Sequence, residues 1–447
     1  MLERIWVRGF RSLVDFSVDL TPGLNVAVGP NGAGKTNFID FLAFAATLSR
    51  SGIHQAFASA GGVQSTFSYE RRTATSHNLA FGISGKLKPF TQVTNNKRTE
   101  VQAVKFDYSC ELSYRPRQAR VYFPKEIVSL KFDGLPALTL QRKSYVDPDR
   151  PAILLTDNPE HELIRAVLHD YRFRDAAKDA EALPLLAGEL DEQTSLLSTM
   201  GRYIHAIRQV ASLIQGVRTI NISPGAAKAS SSVTAWPSMG GTGVGLAAVL
   251  FALSRGHDPA RASSTRTARL ESEKASKLAF SRIVSWIREA NPQISKIGTG
   301  YDLINGEIEI TADVGSAKGI PLRSLSDGTV KWAALVTLLS TADELQVIEE
   351  PENFLHPTMQ EVFVKLCREL IADRDADFSM LVTTHSETLL NLCQPSELLM
   401  FEVGDDGTTC RRTDNAEAVV EQMQRTRFKL GQLYKIGALS GTTRRNS

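Results

Sequence analysis

Two stretches of this 447-residue chain carry residue types whose spacing could do chemistry. The first is Gly29-Pro30-Asn31-Gly32-Ala33-Gly34-Lys35-Thr36, followed by Asn37, which fits the pattern G-x-x-x-x-G-K-[ST]. Glycines let successive backbone N–H groups turn inward around phosphate oxygens, and a helix N-terminus adds favourable dipole. Lys35 can then reach β- and γ-phosphates, and the Thr36 hydroxyl can ligate Mg²⁺. A plain glycine-rich turn also matches the bare pattern, so the surroundings must decide. The second stretch is Leu345-Gln346-Val347-Ile348, an apolar run that stops at Glu349 and Glu350. Paired carboxylates closing a buried strand are costly unless a cation meets them. Glu349 could hold Mg²⁺, directly or through water, and Glu350 could orient or deprotonate an attacking water. A strand end with two solvated glutamates is the plain alternative.

Two smaller features flank the acidic pair. Ser326 and Gly328 in "LSDG" stand about twenty residues before it and open a helical pattern, where a serine and a glycine form a small anion site or a simple N-cap. Some thirty residues after it, the apolar run "FSMLVTT" ends at His385, which could touch a γ-phosphate or be an ordinary loop histidine.

The elements around these residues set their positions. "LERIWVRGF" and "SVDLTPG" alternate as strands, "LNVAVG" is a short buried strand, and "KTNFIDFLAFAATLSR" has helical spacing. The phosphate-type loop therefore lies between a strand and a helix, the setting its chemistry requires. From Ser65 to Leu140 alternating segments, including "TFSYE", "NLAFGIS" and "VKFDYSCELSY", predict antiparallel strands. Helical patterns follow from about Glu160 to Gln215, then a Gly/Ser/Ala-rich stretch near 223–245 that predicts a mobile surface loop. Leu246 to Leu253 and Ala268 to Ala290 are helical, "GEIEITADV" is a strand, and strands alternate with helices to Glu402. Asp405 and Asp406 lie in a hairpin turn, and the tail from Glu417 is basic and helical before fading into "SGTTRRNS". This divides the chain into an N-terminal half-head with an antiparallel β subdomain (1–140), a mainly helical insertion (141–304), a C-terminal half-head (305–415) and a basic tail (416–447).

"GPNGAGKT", "LSDG", "VIEEPENFLHP" and "TTHS", in that order, resemble the ABC-type ATPase heads of the SMC/RecF/OLD kind, a branch of the AAA-family ATPases. "IWVRGFRSL" resembles their opening strand, and "NFIDFLAF" the helix after the phosphate loop. The resemblance covers 1–44 and 306–403 and implies an α/β P-loop NTPase fold, a mixed β-sheet core with an antiparallel subdomain and a helical insertion. It also implies ATP and Mg²⁺ as cofactors and two heads pairing around nucleotide, a homodimer or higher oligomer. By that resemblance Gly29 to Asn37 bind nucleotide, Thr36 and Glu349 hold the metal, and Lys35, Glu350 and His385 are catalytic. Ser326 and Gly328 would cap the γ-phosphate held by the other copy, and Arg11 in "GFRS" approaches the nucleotide or is a surface strand arginine. Two departures stand out: Glu349 replaces the usual aspartate, and the glutamine that normally follows the phosphate loop has only Gln64 as a candidate. With no sustained heptads, a long coiled-coil tether is not expected.

Bulk properties narrow the setting. The chain is 42% hydrophobic and 22% charged with a formal net charge of +2, so nucleic-acid contact would have to come from local patches. Four dispersed cysteines fit neither a zinc site nor a disulfide framework, and no run is long enough to span a bilayer, which together predict a cytoplasmic protein without membrane contact. Three readings follow. One is an ATPase subunit of an anti-phage defence or toxin-like system acting with a separately encoded nuclease effector. Another is a RecF-like repair or maintenance ATPase touching DNA through Arg115, Arg117, Arg120 and Lys125 and the tail residues Arg425, Arg427, Lys429, Lys435, Arg444 and Arg445. A solvated basic strand edge and a disordered tail explain those cations equally well. The last is a nucleotide-binding scaffold without turnover, which Glu350 and His385 argue against.

Overall fold

The computed structural model describes residues 1–68, 77–94, 97–101, 104–133, 136–144, 152–158, 161, 193–257, 266–302, 304–341, 345–374, 378–413 and 415–439. The strands begin β1 (Leu2–Arg8), β2 (Phe16–Asp19), β3 (Gly23–Val28), β4 (His77–Leu87), β5 (Phe90–Thr94), β6 (Lys97–Val101), β7 (Val104–Arg115), β8 (Arg120–Phe132), β9 (Leu138–Lys143) and β10 (Ile153–Thr156). They continue with β11 (Arg218–Ile220), β12 (Ile294–Asp302), β13 (Glu307–Val314), β14 (Ala317–Pro321), β15 (Gln346–Glu349), β16 (Ser379–Thr383), β17 (Leu398–Gly404) and β18 (Gly407–Arg412). The chain makes two compact units, Met1–Thr21 with Val28–Val217 and Leu399–Arg412, and Pro22–Ala27 with Arg218–Leu398 and Thr413–Ser447.

The first unit is built on a seven-stranded antiparallel sheet in the order β10-β9-β8-β7-β4-β1-β2. Its strands alternate as the sequence predicts: in β7, Val104, Phe106, Tyr108 and Cys110 are buried while Lys105, Asp107 and Glu111 face water. One face is therefore core and the other is wet. The helix α1 (Lys35–Ser51) seals the core face through aromatic rings, with Phe41 5.3 Å from Phe81 and 5.6 Å from Phe10. Short helices α2 (Ile53–Ser59) and α3 (Val63–Thr66) follow it. A buried ion pair crosses from β8 to β9, Glu126 to Arg142 at 3.2 Å. Glu126 also accepts from the Tyr108 hydroxyl at 2.8 Å and from the Leu196 backbone N–H, where α4 (Leu196–Met200) begins. Burial pushes the Glu126 carboxyl up, and Arg142 beside it pulls it back. The helix α5 (His205–Gln215) completes this unit's described core, and β17 and β18 form its hairpin with Asp405 and Asp406 at the turn.

The second unit holds four parallel strands, β11-β15-β16-β3. Every residue of β16 is buried, and so are Leu24 to Ala27 of β3, the signature of strands covered on both faces. Here the helices are α6 (Pro224–Ala227), α7 (Leu246–Ser254), α8 (Arg266–Ala290), α9 (Asp327–Ser340) and α10 (Pro357–Ala372). They are followed by α11 (Glu387–Leu390), α12 (Ala416–Thr426) and α13 (Leu430–Lys435). The helix α9 is buried from Thr329 through Leu339, and the Trp332 indole N–H donates to the Trp286 carbonyl at 2.9 Å. A three-stranded antiparallel sheet, β12-β13-β14, completes the unit.

Two findings refine the sequence reading. Part of the stretch expected as a mobile surface loop is regular. Pro224 stands at the first turn of α6, where its missing N–H is no loss, and Asn221 and Ser223 donate backbone N–H groups to Gly241 and Thr242. In addition β11 lies within the stretch expected to be mainly helical, yet it pairs in parallel with β15. The helical patterns expected across 162–192 lie outside the described residues, as do Tyr69, Glu70, Arg444 and Arg445. Among the described residues no helix is long and apolar enough to cross a membrane.

Candidate functional site

The phosphate-type loop follows β3 directly and delivers the chain into α1. Gly32 and Gly34 adopt φ of +80° and +93°, a region that costs other residues about 1 kcal/mol or more. Space explains two of the glycines independently. A Cβ on Gly29 would lie 2.3 Å from the Phe401 carbonyl oxygen, and one on Gly34 would lie 2.1 Å from the Thr408 hydroxyl. The β17–β18 hairpin thus forms the floor of the loop. Lys35 is buried and its ammonium donates to the Gly29 and Pro30 carbonyls at 2.8 and 3.1 Å. No side chain caps the start of α1 and no acidic residue occupies its first turn. The first amide N–H groups of α1 carry the positive end of the helix dipole, which favours an anion.

Glu349 ends β15 at the level of Thr383 in β16, which in turn is level with Ala27 in β3. Two strand spacings, roughly 10 Å, separate the backbones of Glu349 and Ala27, and Gly29 follows two residues later. Glu350 leaves the strand with φ +40°, its N–H held by the Thr383 carbonyl at 3.1 Å. Its carboxylate accepts from the Asn353 amide at 2.9 Å and lies 3.6 Å from His385 Nε2. Glu349 accepts from the Asn221 amide at 2.9 Å. The three sequence-predicted residues Glu349, Glu350 and His385 are therefore brought together at the carboxyl ends of parallel strands. Open α/β sheets bind ligands at that end.

A third carboxylate organises this cluster. Glu352 Oε1 accepts from the His385 backbone N–H at 2.7 Å and from the Thr384 hydroxyl at 2.8 Å, so it fixes the loop that carries the histidine. Lys331, buried in α9, donates to the Glu350 carbonyl at 3.2 Å. Burial lowers the Lys331 ammonium to about 8, against the pull of Glu352 and Glu350. Ser326 caps α9, its hydroxyl accepting from the Thr329 N–H at 3.3 Å, while Asp327 is paired with Lys228 at 2.6 Å. A Cβ on Gly328 would lie 2.6 Å from the Phe354 carbonyl oxygen.

Other candidates sit elsewhere. Arg11, at φ +46°, is held on the flank of α1 by Asp40 and donates to the Ala60 and Ser65 carbonyls at 3.1 and 3.2 Å. Gln64 is exposed in α3. The amide that touches Glu349 is that of Asn221, which sequence reasoning missed because β11, the strand before it, is only three residues long. Arg115 and Arg120 each lean over the Tyr122 ring at 5.8 Å beside an exposed Arg117. Lys435 pairs with Glu387 at 3.5 Å.

A family model described as "AAA domain, putative AbiEii toxin, Type IV TA system" matches residues 24–391. Among curated proteins, Endonuclease GajA of Bacillus cereus (strain HuB5-5) is 44% identical over 50 residues, 10% of this chain and 7% of that protein. DNA replication and repair protein RecF of Rhodococcus erythropolis (strain PR4 / NBRC 100887) is 41% identical over 70 residues, 13% of this chain and 17% of that protein. The matched stretches are thus small fractions of both relatives. Among solved structures, an SMC head bound to the C-winged helix domain of ScpA aligns over 92% of this chain and 97% of its own, at 12% identity and a TM-score of 0.47. The SMC head domain from Thermotoga maritima aligns over 92% and 99% at 14% identity and a TM-score of 0.38.

Proposed function

This chain belongs to the AAA-domain family whose model spans residues 24–391, and from that premise we propose that it is a Mg²⁺-dependent ATPase whose bound nucleotide draws two copies together. The observation that carries this reading is the strand register. It sets Glu349, Thr383 and Ala27 in one row, so that a strand ending in carboxylates and a strand leading into the glycine loop finish at the same level.

In this reading the Gly29–Thr36 backbone receives the phosphates and Lys35 exchanges its carbonyl partners for phosphate oxygens. Among the described residues no group of three or more His, Cys, Asp and Glu could hold a metal by itself. Mg²⁺ completes its shell with water and phosphate and needs few protein oxygens. Thr36 and Glu349 are the proposed ligands, and the ion would neutralise charge on the β- and γ-phosphates. The Asn221 amide keeps the Glu349 carboxylate aimed, and Glu349, longer than an aspartate, can act through a bound water. Glu350 accepts the proton of a water whose oxygen bonds to the γ-phosphorus. The bond from that phosphorus to the β–γ bridging oxygen breaks, and ADP departs with the electron pair. His385, 3.6 Å from Glu350, would hydrogen-bond the γ-phosphate. Ser326 and Gly328 would close over the nucleotide of the second copy.

The family description and the short GajA match support a role as the ATPase subunit of an anti-phage defence or toxin-like system, acting with a nuclease effector encoded separately. A RecF-like DNA-maintenance role is favoured instead by the RecF match and the arginines of the β7–β8 turn. Loss of salt-sensitive DNA binding on neutralising Arg115, Arg117 and Arg120 would select the second role. Copurification of a nuclease with a protein that ignores DNA would select the first.

Glu350→Gln tests the chemistry. ATP binding should persist, hydrolysis should fall by roughly 10²- to 10⁴-fold, the span of a general base, and a stable dimer should accumulate with ATP in size-exclusion chromatography. Undiminished phosphate release would remove Glu350 from its role.

A further inference from the structure

The turn that carries Glu350 is gripped from one side by a single helix. Gly328 and Lys331 are three residues apart on α9, a spacing that puts both on the same helix face. At Gly328 the Phe354 carbonyl approaches so closely that a Cβ would clash at 2.6 Å. At Lys331 the ammonium reaches the Glu350 carbonyl at 3.2 Å and stands 5.8 Å from the centre of the Phe354 ring. Both turn residues so held are in a backbone region unfavourable to side-chain-bearing residues, Glu350 at φ +40° and Phe354 at φ +67°. Such conformations persist only where surroundings over-determine them.

Lys331 is an unusual residue for this place. It is 2% exposed on a helix whose neighbouring positions, Val330, Trp332, Ala333 and Ala334, are apolar core. A buried ammonium is costly unless anionic or dipolar partners surround it, and a leucine or methionine would fill the same space more cheaply. Its partners are the backbone oxygen of Glu350 and the charges of Glu350 and Glu352. Glu352 Oε2 is buried without a hydrogen-bond partner, while Oε1 of the same group holds the backbone of His385. The ammonium thus faces both residues proposed to act on the γ-phosphate, one through its carbonyl and one through the carboxylate that orients it. The same helix begins at Ser326 and Gly328, the residues proposed to meet the nucleotide of the second copy.

We propose that Lys331 is a positioning residue for ATP hydrolysis: it clamps the 350–354 turn to α9 so that Glu350 and His385 reach their working geometry only as the Ser326 end of that helix engages a second copy. The proposal rests on the ATPase reading above and adds to it a route by which pairing of two copies governs turnover. No contact of Lys331 with nucleotide is required. Its influence passes through Glu350 O and Glu352.

The experiment compares Lys331→Met, Lys331→Arg and Glu350→Gln with the unaltered protein, measuring kcat, KM for ATP, ATP affinity and the ATP-dependent dimer. A misplacement of about 1 Å at the chemistry costs roughly 100-fold in rate, so Lys331→Met should lower kcat by about 10-fold or more. KM and ATP affinity should stay within about twofold, because binding by the Gly29–Thr36 loop is untouched. Lys331→Arg, which keeps a cation within reach of the same carbonyl, should restore most of kcat. If Lys331→Met does not fold, the arginine variant carries the test, with near-normal kcat supporting the clamp and a Glu350→Gln-like loss opposing it. Unchanged kcat in Lys331→Met, or kcat and ATP affinity falling together, overturns the proposal. A Glu350→Gln protein that hydrolyses ATP normally would instead overturn the reading beneath it.

Discussion

Two helices of this protein begin at glycine-bearing loops, and they begin in opposite ways. At the start of α1 no side chain supplies a cap, the N-cap position is Gly34 in the left-handed region, and the first turn holds no acid. At the start of α9 the Ser326 hydroxyl is already spent on the Thr329 N–H and hydroxyl, and Asp327 occupies the first turn with Lys228 as its partner. A bare helix start attracts an anion by itself, whereas a self-capped and acid-bearing one repels it. Under the proposed function the difference implies an order of events: α1 would take phosphate in a single copy, while α9 would have to surrender its own cap and tolerate a nearby carboxylate before serving a γ-phosphate. That second step is what a partner copy bringing a fixed triphosphate could drive.

The comparison can be broken most severely at Lys35. Lys35→Ala should weaken ATP binding by about 3 kcal/mol, roughly 100-fold or more, measured by titration calorimetry with the protein as a monomer. Retained affinity would mean that α1 is not the anion site. Ser326→Ala should leave that affinity alone, reduce ATP-driven pairing and turnover, and lower thermal stability by about 0.5–2 kcal/mol through the lost cap. An equal loss of ATP affinity would erase the distinction between the two helix starts. The clamp one turn further along α9 gives a pH signature. Lys331 loses its proton near pH 8, so kcat should fall as pH rises through about 8, and Lys331→Arg should move that fall to higher pH. Folding stability contributed by this group runs the other way. Its folded pKa lies below the unfolded 10.5, so the unfolded chain binds more protons between them and stability rises with pH across that window. Opposite trends in kcat and melting temperature would be hard to obtain from general alkaline damage. The smallest effect belongs to Asp327→Asn, which removes a like charge from the incoming phosphate. It should tighten ATP-dependent pairing by about 0.3–1 kcal/mol, roughly two- to fivefold, in a sedimentation assay.

How much of this was legible from the chain follows the range over which each feature is encoded. The phosphate-type loop is eight contiguous residues between a buried strand and an amphipathic helix, and the structure places it there. The alternation of β4, β7 and β8 and the apolar runs of β3 and β16 are local patterns as well, and each became the strand expected of it. What stayed hidden was encoded between distant positions. β11 is three residues, Arg218-Thr219-Ile220, too short to show a period, and its meaning comes from pairing with β15 more than a hundred residues later. Gln64 is the sequence's candidate for the glutamine that normally follows the phosphate loop, whereas Asn221 supplies the amide that reaches Glu349. Lys331 was invisible for another reason: in a helix read by its apolar content, one lysine passes as a solvent-facing residue until burial is known. Glu352 stood in plain view within "EEPEN", but its service to His385 depends on the return of β16 alongside β15.

The hairpin beneath the glycine loop widens the set of positions that can disable the protein. Since Phe401 and Thr408 leave no headroom under Gly29 and Gly34, a bulkier side chain at 408 would lift the loop from below much as a mutation inside the motif distorts it. A random-mutagenesis selection for alleles that no longer take up nucleotide should therefore return hits in the codons of this hairpin, which no motif search would flag.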